Sequence, residues 1–358
     1  MAKELPTLTS MHLPHDDLAH AAAPLVEAIE RAEPLTGLMI TGATGFVGKW
    51  LLASWLWAKR HTGLAAPALV LSRRPQAFLS QFPSLAQEDG LHFLSGDICD
   101  FSMPAWARVS HVIHAATSIA DAVPPAEMIK VCVQGTQRAL DAAILAGAER
   151  FLLLSSGAVY GECDPDVERF TERARSAPDC LLSSSAYGEG KRIAELLCSL
   201  CAAQTSLQVS IARCFAFVGP YIPMDRHFAI GNFIAAAEQG LPIRIKGDGT
   251  PVRSYLYAAD LANALWTLLL RGPQRQAVNV GGEEAISMLG LAQRVAALLG
   301  SDSPIEIGSH SVSGAAPSRY VPDVSRLREL VGFRPRFTLD EAIIHTAQWW
   351  KTHGKHNP

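Results

Sequence analysis

Thr41-Gly42-Ala43-Thr44-Gly45-Phe46-Val47-Gly48 follows the short apolar run Leu38-Met39-Ile40 and opens an apolar-rich segment, Lys49 to Ala58. The order is strand, tight glycine turn, helix. A side chain at the glycine positions of such a turn would hold off a ligand approaching the backbone. The helix beyond offers free N–H groups and a positive dipole end to an anion. A dinucleotide pyrophosphate is the anion most often bound this way. The strand–glycines–helix context is what lifts such a motif above chance. The spacing is Gly-x-x-Gly-x-x-Gly rather than the commoner Gly-x-Gly-x-x-Gly. A glycine-rich turn without a ligand is the plain alternative.

Outward from this stretch, strand and helix patterns alternate. Leu38–Ile40, Ala68–Leu71, His92–Leu94, His111–His114, Phe151–Ser155 and Val209–Ala212 read as strands, and Val47–Ala58, Ala126–Ala146 and Ala186–Ala203 as helices. This alternation predicts an α/β fold with a Rossmann-like, doubly wound parallel sheet. The strands are continuous apolar runs, as a sheet covered on both faces requires. After Gly219-Pro220 the regularity drops. Segments 227–239, 258–271, 287–299 and 339–352 have helical spacing, with short strands Ile243–Ile245 and Val278–Val280 between them. The expected division is an N-terminal extension with a helix (1–36), a dinucleotide-binding domain carrying the catalytic residues (37–219) and a smaller mixed region mainly for substrate (220–358). Some elements of the last are expected to return to the main sheet.

The chain has 358 residues, enough for a large core. With 49% hydrophobic and 18% charged residues it has an ordinary globular composition. A net charge of −3 gives no general attraction to nucleic acid or anionic membranes, so neither is expected as a partner. No apolar run is long enough to span a bilayer. Met1 to Pro14 lacks a charged-then-apolar leader pattern, and a cytoplasmic protein is expected. The 7 Cys fit reduced thiols, Cys198-x-x-Cys201 lying inside a helical pattern. His12, His15 and His20 have no completing cluster, so no metal is expected.

Tyr187 and Lys191 form Tyr-x-x-x-Lys at the start of a helical pattern, and an i,i+4 pair shares one helix face. A nearby ammonium favours the phenolate and is expected to lower the Tyr187 pKa, which makes it a general acid/base. Ser155-Ser156-Gly157-Ala158-Val159-Tyr160-Gly161 ends the strand Phe151–Ser155, where ligands of open α/β sheets bind. A hydroxyl there can hold a substrate oxygen while the tyrosine moves its proton. Taken singly, a surface pair and a turn cap would explain these residues.

Together with the glycine turn they resemble the extended short-chain dehydrogenase/reductase family, in its NAD(P)-dependent nucleotide-sugar epimerase/dehydratase branch. The resemblance covers roughly 37–352 and includes Gly96-Asp97-Ile98, His114-Ala115-Ala116, Gly135-Thr136, Arg213 to Pro220, Gly247 to Arg253, Asp260-Leu261-Ala262 and Asn279-Val280-Gly281. It implies that Gly42, Gly45 and Gly48 approach the cofactor pyrophosphate, with Thr44, Phe46 and Val47 of the same turn in the cofactor site. It puts Asp97 and Ile98 at the adenine and Ala115, Ala116 and Thr117 on the nicotinamide side. Ser156, Tyr187 and Lys191 are the implied catalytic residues, Ser156 also touching substrate and Lys191 the nicotinamide ribose. Arg253 is implied at the substrate diphosphate, with a surface salt bridge as its alternative. A homodimer through Ala126–Ala146 and Ala186–Ala203 is implied as well. Cys132 replaces a common Asn, Gly190 a common Ser and Ala216 a common Asn. The gap between Ser156 and Tyr187 is long for the family, and the polar insert Glu162 to Cys180 is expected to form a lid.

The end of the second strand separates NAD from NADP. Leu71-Ser72-Arg73-Arg74 has no acid for a ribose 2′-hydroxyl. Arg73 suits a 2′-phosphate, with Ser72 as a further donor, so NADP is favoured over NAD. Family dehydratases and decarboxylases carry acids just after the strand-end hydroxyl, where this chain has Gly157 and Ala158. The expected function is therefore hydride transfer at C4 of a nucleotide-diphosphate sugar, of the 4-epimerase or 4-ketoreductase type. The alternatives are a 4,6-dehydratase-like enzyme, a reductase of a non-sugar carbonyl and a non-catalytic NADP sensor.

Overall fold

The computed structural model describes residues 11–117, 123–162, 166–225, 228–308 and 318–354; Met1–Ser10 and the start of the insert lie outside the described residues. The strands are β1 (Leu38–Thr41), β2 (Ala68–Ser72), β3 (Leu91–Ser95), β4 (His111–His114), β5 (Arg150–Ser156), β6 (Gln208–Cys214), β7 (Ala216–Val218), β8 (Ile243–Ile245), β9 (Val252–Arg253), β10 (Tyr255–Tyr257), β11 (Ala277–Val280), β12 (Ile286–Ser287), β13 (Ile305–Ile307) and β14 (Arg319–Tyr320). The α-helices are α1 (His15–Glu30), α2 (Phe46–Thr62), α3 (Pro75–Gln81), α4 (Pro125–Leu145), α5 (Ala186–Gln204), α6 (Ala229–Gln239), α7 (Ala258–Arg271), α8 (Met288–Leu298), α9 (Ser325–Val331) and α10 (Leu339–His353).

Seven strands form one parallel sheet in the order β11-β6-β5-β4-β1-β2-β3. Alternate residues of a strand point to opposite faces. Leu38 and Ile40 meet the core built with α1, α2 and α7, and Met39 meets the one built with α4 and α5. Both faces are thus covered, which explains the unbroken apolar runs. The chain winds from β1 through β2 to β3, then returns to the other side of β1 with β4. Ligands of such sheets bind where the winding reverses, beyond the carboxyl ends of β1 and β4.

The region after residue 220 contributes directly to this core. Strand β11 pairs along β6, and α7 is buried along most of its length. The remaining strands form small sheets, β12-β9-β14, β8 with β13 and β7 with β10. Helix α3 escaped the sequence reading because seven residues are too few to show a period.

Helix α1 packs its apolar stripe, Leu18, Ala21, Ala22, Leu25 and Ala28, against α2 and α7. Polar contacts tie the extension down. The Tyr257 hydroxyl donates to Asp17 (2.6 Å), His20 Nε2 lies 2.7 Å from Asp260 and the Tyr221 hydroxyl donates to the Met11 carbonyl (2.5 Å).

Burial carries a consequence on β4. It pulls His111 down to about 4 and His114 to about 3, so the folded protein holds both rings neutral. Unfolded histidines titrate near 6.5. The unfolded chain therefore takes up more protons as pH falls, and stability drops. This contribution is complete above pH 6.5 and is lost as pH falls toward 4 and then 3. Thermal melts are expected to show Tm falling steadily over that window; a flat profile would exclude the two histidines as its source.

Candidate active site

The glycine turn uses its three glycines differently. Gly42 has a φ of +78°, and a Cβ there would lie 2.7 Å from the backbone of Ala115 and Ala116. At Gly48 it would lie 2.2 Å from the Gly42 carbonyl. These two fold the turn onto itself and onto the end of β4. Gly45 is exposed, and its missing Cβ has a single neighbour, 3.4 Å away. It precedes α2 with no side-chain cap and no acid in the first helical turn. An open glycine before an uncapped helix end fits a pyrophosphate. Thr44, Phe46 and Val47 are half-buried around it.

Beside the turn, Thr41 Oγ1 accepts from the Ala116 N–H (3.2 Å) and pairs with His114 Nδ1 (2.8 Å). His114 Nε2 meets Thr136 Oγ1 at 3.2 Å. Neutral His114 thereby holds Ala115, Ala116 and Thr117 next to Gly42. At the end of β2, buried Ser72 accepts from the Arg74 N–H (3.2 Å), whereas Arg73 is exposed. In the turn after β3, Asp97 accepts from the Cys99 N–H (2.9 Å), and Ile98 is buried against Gly135.

Ser156 closes β5 and caps the turn Gly157–Tyr160, accepting from the Ala158 N–H (3.1 Å). The hydroxyl also bears on the phenol of Tyr187, at the first turn of α5, opposing the burial that raises its pKa. One helical turn on, Lys191 is buried and donates to Thr117 Oγ1 and the Leu154 carbonyl, both at 2.7 Å. Its ammonium lies 5.9 Å from the Tyr187 ring centre. The fold thus gathers Ser156, Tyr187, Lys191 and Thr117 within reach of the glycine turn.

The electrostatics correct one expectation. Burial holds the Tyr187 phenol well above its ordinary pKa, with the Ser156 hydrogen bond opposing. Burial also lowers the Lys191 pKa. Desolvation of both groups outweighs the depression expected from their pairing.

Two further residues have no local sequence signal as strong as Tyr-x-x-x-Lys. Glu195, four positions after Lys191, accepts from Ser155 Oγ (2.6 Å) and holds Arg213 through Nε (2.9 Å) and Nη2 (2.6 Å). Its i+4 spacing was the available clue. Arg213 Nη1 donates to the Tyr160 hydroxyl, which donates to Asn279 (2.9 and 2.8 Å). The second residue is Tyr320, from the two-residue strand β14. Its hydroxyl lies 3.4 Å from Ser156 Oγ and 3.5 Å from the Cys214 carbonyl.

Arg253 donates to the carbonyls of Val252 (2.9 Å) and Ser318 (3.1 Å), and its guanidinium lies 5.8 Å from the Tyr320 ring centre. It lines a cavity of about 240 Å³ together with Arg244, Lys246 and Asn232. Three cations thus line this cavity, Arg244 being paired with Glu306 (2.9 Å). A cavity of about 420 Å³ beside β3 and Trp106 contains none of these residues.

Two of the three departures from the family pattern form a packing pair. A Cβ at Gly190 would meet Cys132 at 2.9 Å, so the two changes compensate. The described part of the insert is anchored at Phe170, which is buried against Tyr160, Phe215 and Tyr320 and whose N–H donates to the Val321 carbonyl (2.9 Å). Among the described residues no cluster of His, Cys, Asp and Glu is arranged for a metal, and no helix is long and apolar enough to cross a membrane.

Comparison with known proteins agrees with this geometry. Residues 38–281 match the model of the NAD dependent epimerase/dehydratase family. UDP-glucuronic acid decarboxylase 6 of Arabidopsis thaliana is 29% identical over 309 residues, 86% of each chain. The structure of MoeE5 with UDP-glucuronic acid and NAD is 27% identical, with a TM-score of 0.70 over 88% of this chain and 99% of the other. The dTDP-glucose 4,6-dehydratase of Bacillus anthracis, solved with NAD, shares the fold at 20% identity, with a TM-score of 0.74 over 90% of this chain and 98% of that one.

Proposed function

The chain belongs to the NAD-dependent epimerase/dehydratase family, and within it we propose that it oxidises C4 of a uridine-diphosphate sugar acid, UDP-glucuronic acid being the substrate, and then removes the C6 carboxylate. The observation that carries the C4 chemistry is Ser156 at the end of β5 beside Tyr187 and Lys191 on one face of α5, the Lys191 ammonium 5.9 Å from the Tyr187 ring centre. Tyr187 takes the C4 hydroxyl proton, Ser156 holds the oxygen, and Lys191 binds the cofactor ribose. Bound NAD supplies the hydride acceptor and a positive ring charge that favours the Tyr187 phenolate. Gly45 and the α2 end hold the pyrophosphate, and Arg253 the substrate diphosphate. NAD is supported by the family and by the MoeE5 structure. The acid-free strand end at Ser72 and Arg73 is what speaks for NADP, and identification of the nucleotide released on denaturation separates the two.

The second step is supported by the named relatives, since this chain lacks the acids that family dehydratases and decarboxylases alike carry after the strand-end hydroxyl. A 4,6-dehydration needs a base at C5 and an acid at C6, but Gly157 and Ala158 supply neither. Nor is there room for an acid at 157, where a Cβ would lie 2.7 Å from both the Phe215 ring and the Tyr320 hydroxyl. Once C4 is a ketone, a C6 carboxylate is a β-keto acid and leaves as CO₂ without a base. The relatives named as UDP-glucuronic acid decarboxylases support this outcome. The same absence of acids favours simple C4 epimerisation as the second reading. Incubation with UDP-glucuronic acid and NAD separates them: CO₂ with a UDP-pentose supports decarboxylation, and UDP-galacturonic acid supports epimerisation. No turnover of this substrate would overturn the proposal.

We also propose a homodimer. Ile129, Ile144 and Leu145 on α4 and Ile193, Leu196 and Leu200 on α5 are exposed on two helices packed side by side. A solvent-facing apolar patch on a helix pair is a typical interface. Light scattering is expected to give twice the chain mass, and Leu196→Glu with Leu200→Glu to give a folded monomer. A monomeric wild type would refute the interface.

A further inference from the structure

We propose that Tyr320 is the second proton-transfer group of the site, the acid that protonates C5 of the sugar after the C6 carboxylate has left. This rests on the decarboxylase reading above. The placement is steric before it is chemical. The Tyr320 hydroxyl stands 2.7 Å from where a Cβ of residue 157 would be, so it fills the space that a side chain following Ser156 would need. It lies 3.4 Å from Ser156 Oγ, and the same hydroxyl bears on the Tyr187 phenol. Two phenols therefore converge on one serine, and one of them is surplus to C4 oxidation. The ring is held by Phe215 at 4.6 Å and by the Arg253 guanidinium, which joins it to the cationic cavity. Strand β14 pairs with β9 in a register that sets Tyr320 opposite Arg253. The residue at the diphosphate and the residue at Ser156 are thus fixed by one ladder.

The protonation state suits an acid. Burial raises the Tyr320 pKa to about 12, so the phenol keeps its proton at neutral pH. It is acidic enough to protonate an enolate. In the 4-keto sugar acid the C5–C6 bond breaks, C6 departs as CO₂, and the electron pair forms the C4–C5 enolate. The Tyr320 O–H then gives its proton to C5, restoring the C4 ketone. C4 then takes back the hydride removed in the first step and its oxygen takes a proton from Tyr187, giving the UDP-pentose, and the Tyr320 phenolate regains a proton from solvent.

The test is Tyr320→Phe in the full-length protein with NAD and UDP-glucuronic acid. CO₂, the UDP-pentose and the near-ultraviolet absorbance of reduced nicotinamide are followed together. The variant is expected to go on oxidising C4 and to accumulate reduced nicotinamide. UDP-pentose formation is expected to fall about 10²-fold or more, the usual worth of a general acid. Accumulated reduced nicotinamide itself reports a folded, oxidation-competent variant. Wild-type pentose formation by the variant would overturn the role of Tyr320 and leave the decarboxylase reading intact. A variant unable to reduce nicotinamide would overturn it too, by making Tyr320 a structural support of Ser156. A wild type that releases no CO₂ would overturn both.

Discussion

Tyr187→Phe is expected to lower C4 oxidation by about 10²- to 10⁴-fold, the range over which a positioned acid/base acts. The substitution removes one hydroxyl and leaves the ring that lies 5.9 Å from the Lys191 ammonium. The loss of the Ser156 hydrogen bond is worth only about 1 kcal/mol in stability, because Ser156 keeps its bond from the Ala158 N–H. The effect should therefore fall on kcat, with cofactor affinity and Tm nearly unchanged. Single-turnover appearance of reduced nicotinamide measures it without interference from later steps. A pH profile adds a second check. Burial raises the Tyr187 pKa, so the wild-type rate should climb with pH as the phenolate forms, and the variant should lose that limb. Oxidation at the wild-type rate by the variant would remove Tyr187 from the chemistry.

What was legible in the sequence was local. The turn from Thr41 to Gly48 carries its own strand, glycines and helix, and the structure places Leu38–Thr41 and Phe46–Thr62 around it. Tyr187 and Lys191 are tied by the helix period, so their shared face needed no tertiary knowledge. Glu195 lies on the same period, but its value depends on Arg213, a residue of another strand. Tyr320 was beyond reach for a stronger reason. It arrives on a two-residue strand, and only its pairing with β9 carries it to Ser156. The reason for Gly157 was hidden with it. Gly157 read as a missing acid; the structure makes it the room that Tyr320 and Phe215 require. The expected pKa of Tyr187 failed because spacing reports proximity but not burial. The polar composition of the insert likewise concealed Phe170, one buried ring that anchors its described part.

Glu195→Ala is expected to cost about 3–5 kcal/mol of unfolding free energy, the usual result of stripping one partner from a buried ion pair. The side chains of Arg213 and Glu195 are only 16% and 11% exposed, so solvent screens the pair weakly. Truncation would leave the Arg213 guanidinium without its carboxylate, and Ser155 Oγ without its acceptor. The charge matters more than the contact: the Glu195 hydrogen bond and charge raise the Arg213 pKa against a desolvation that would lower it. Replacing both residues by apolar ones, Glu195→Leu with Arg213→Met, should recover much of the loss, since no charge then remains buried. Urea denaturation of the single and double variants measures the difference. The active site should feel the same change. Lys191 and Glu195 share a helix face, and Arg213 passes the pair to Tyr160 and on to Asn279, whose side chain donates to the Phe170 and Asp323 carbonyls (2.8 and 3.2 Å). Asp323 is three residues beyond Tyr320. The single variant should therefore lose C4 oxidation and C5 protonation together, whereas the double variant should regain stability without regaining the full rate. A single variant as stable as wild type would mean that water takes the place of the carboxylate, and that the helix carrying Tyr187 is held by its apolar face alone.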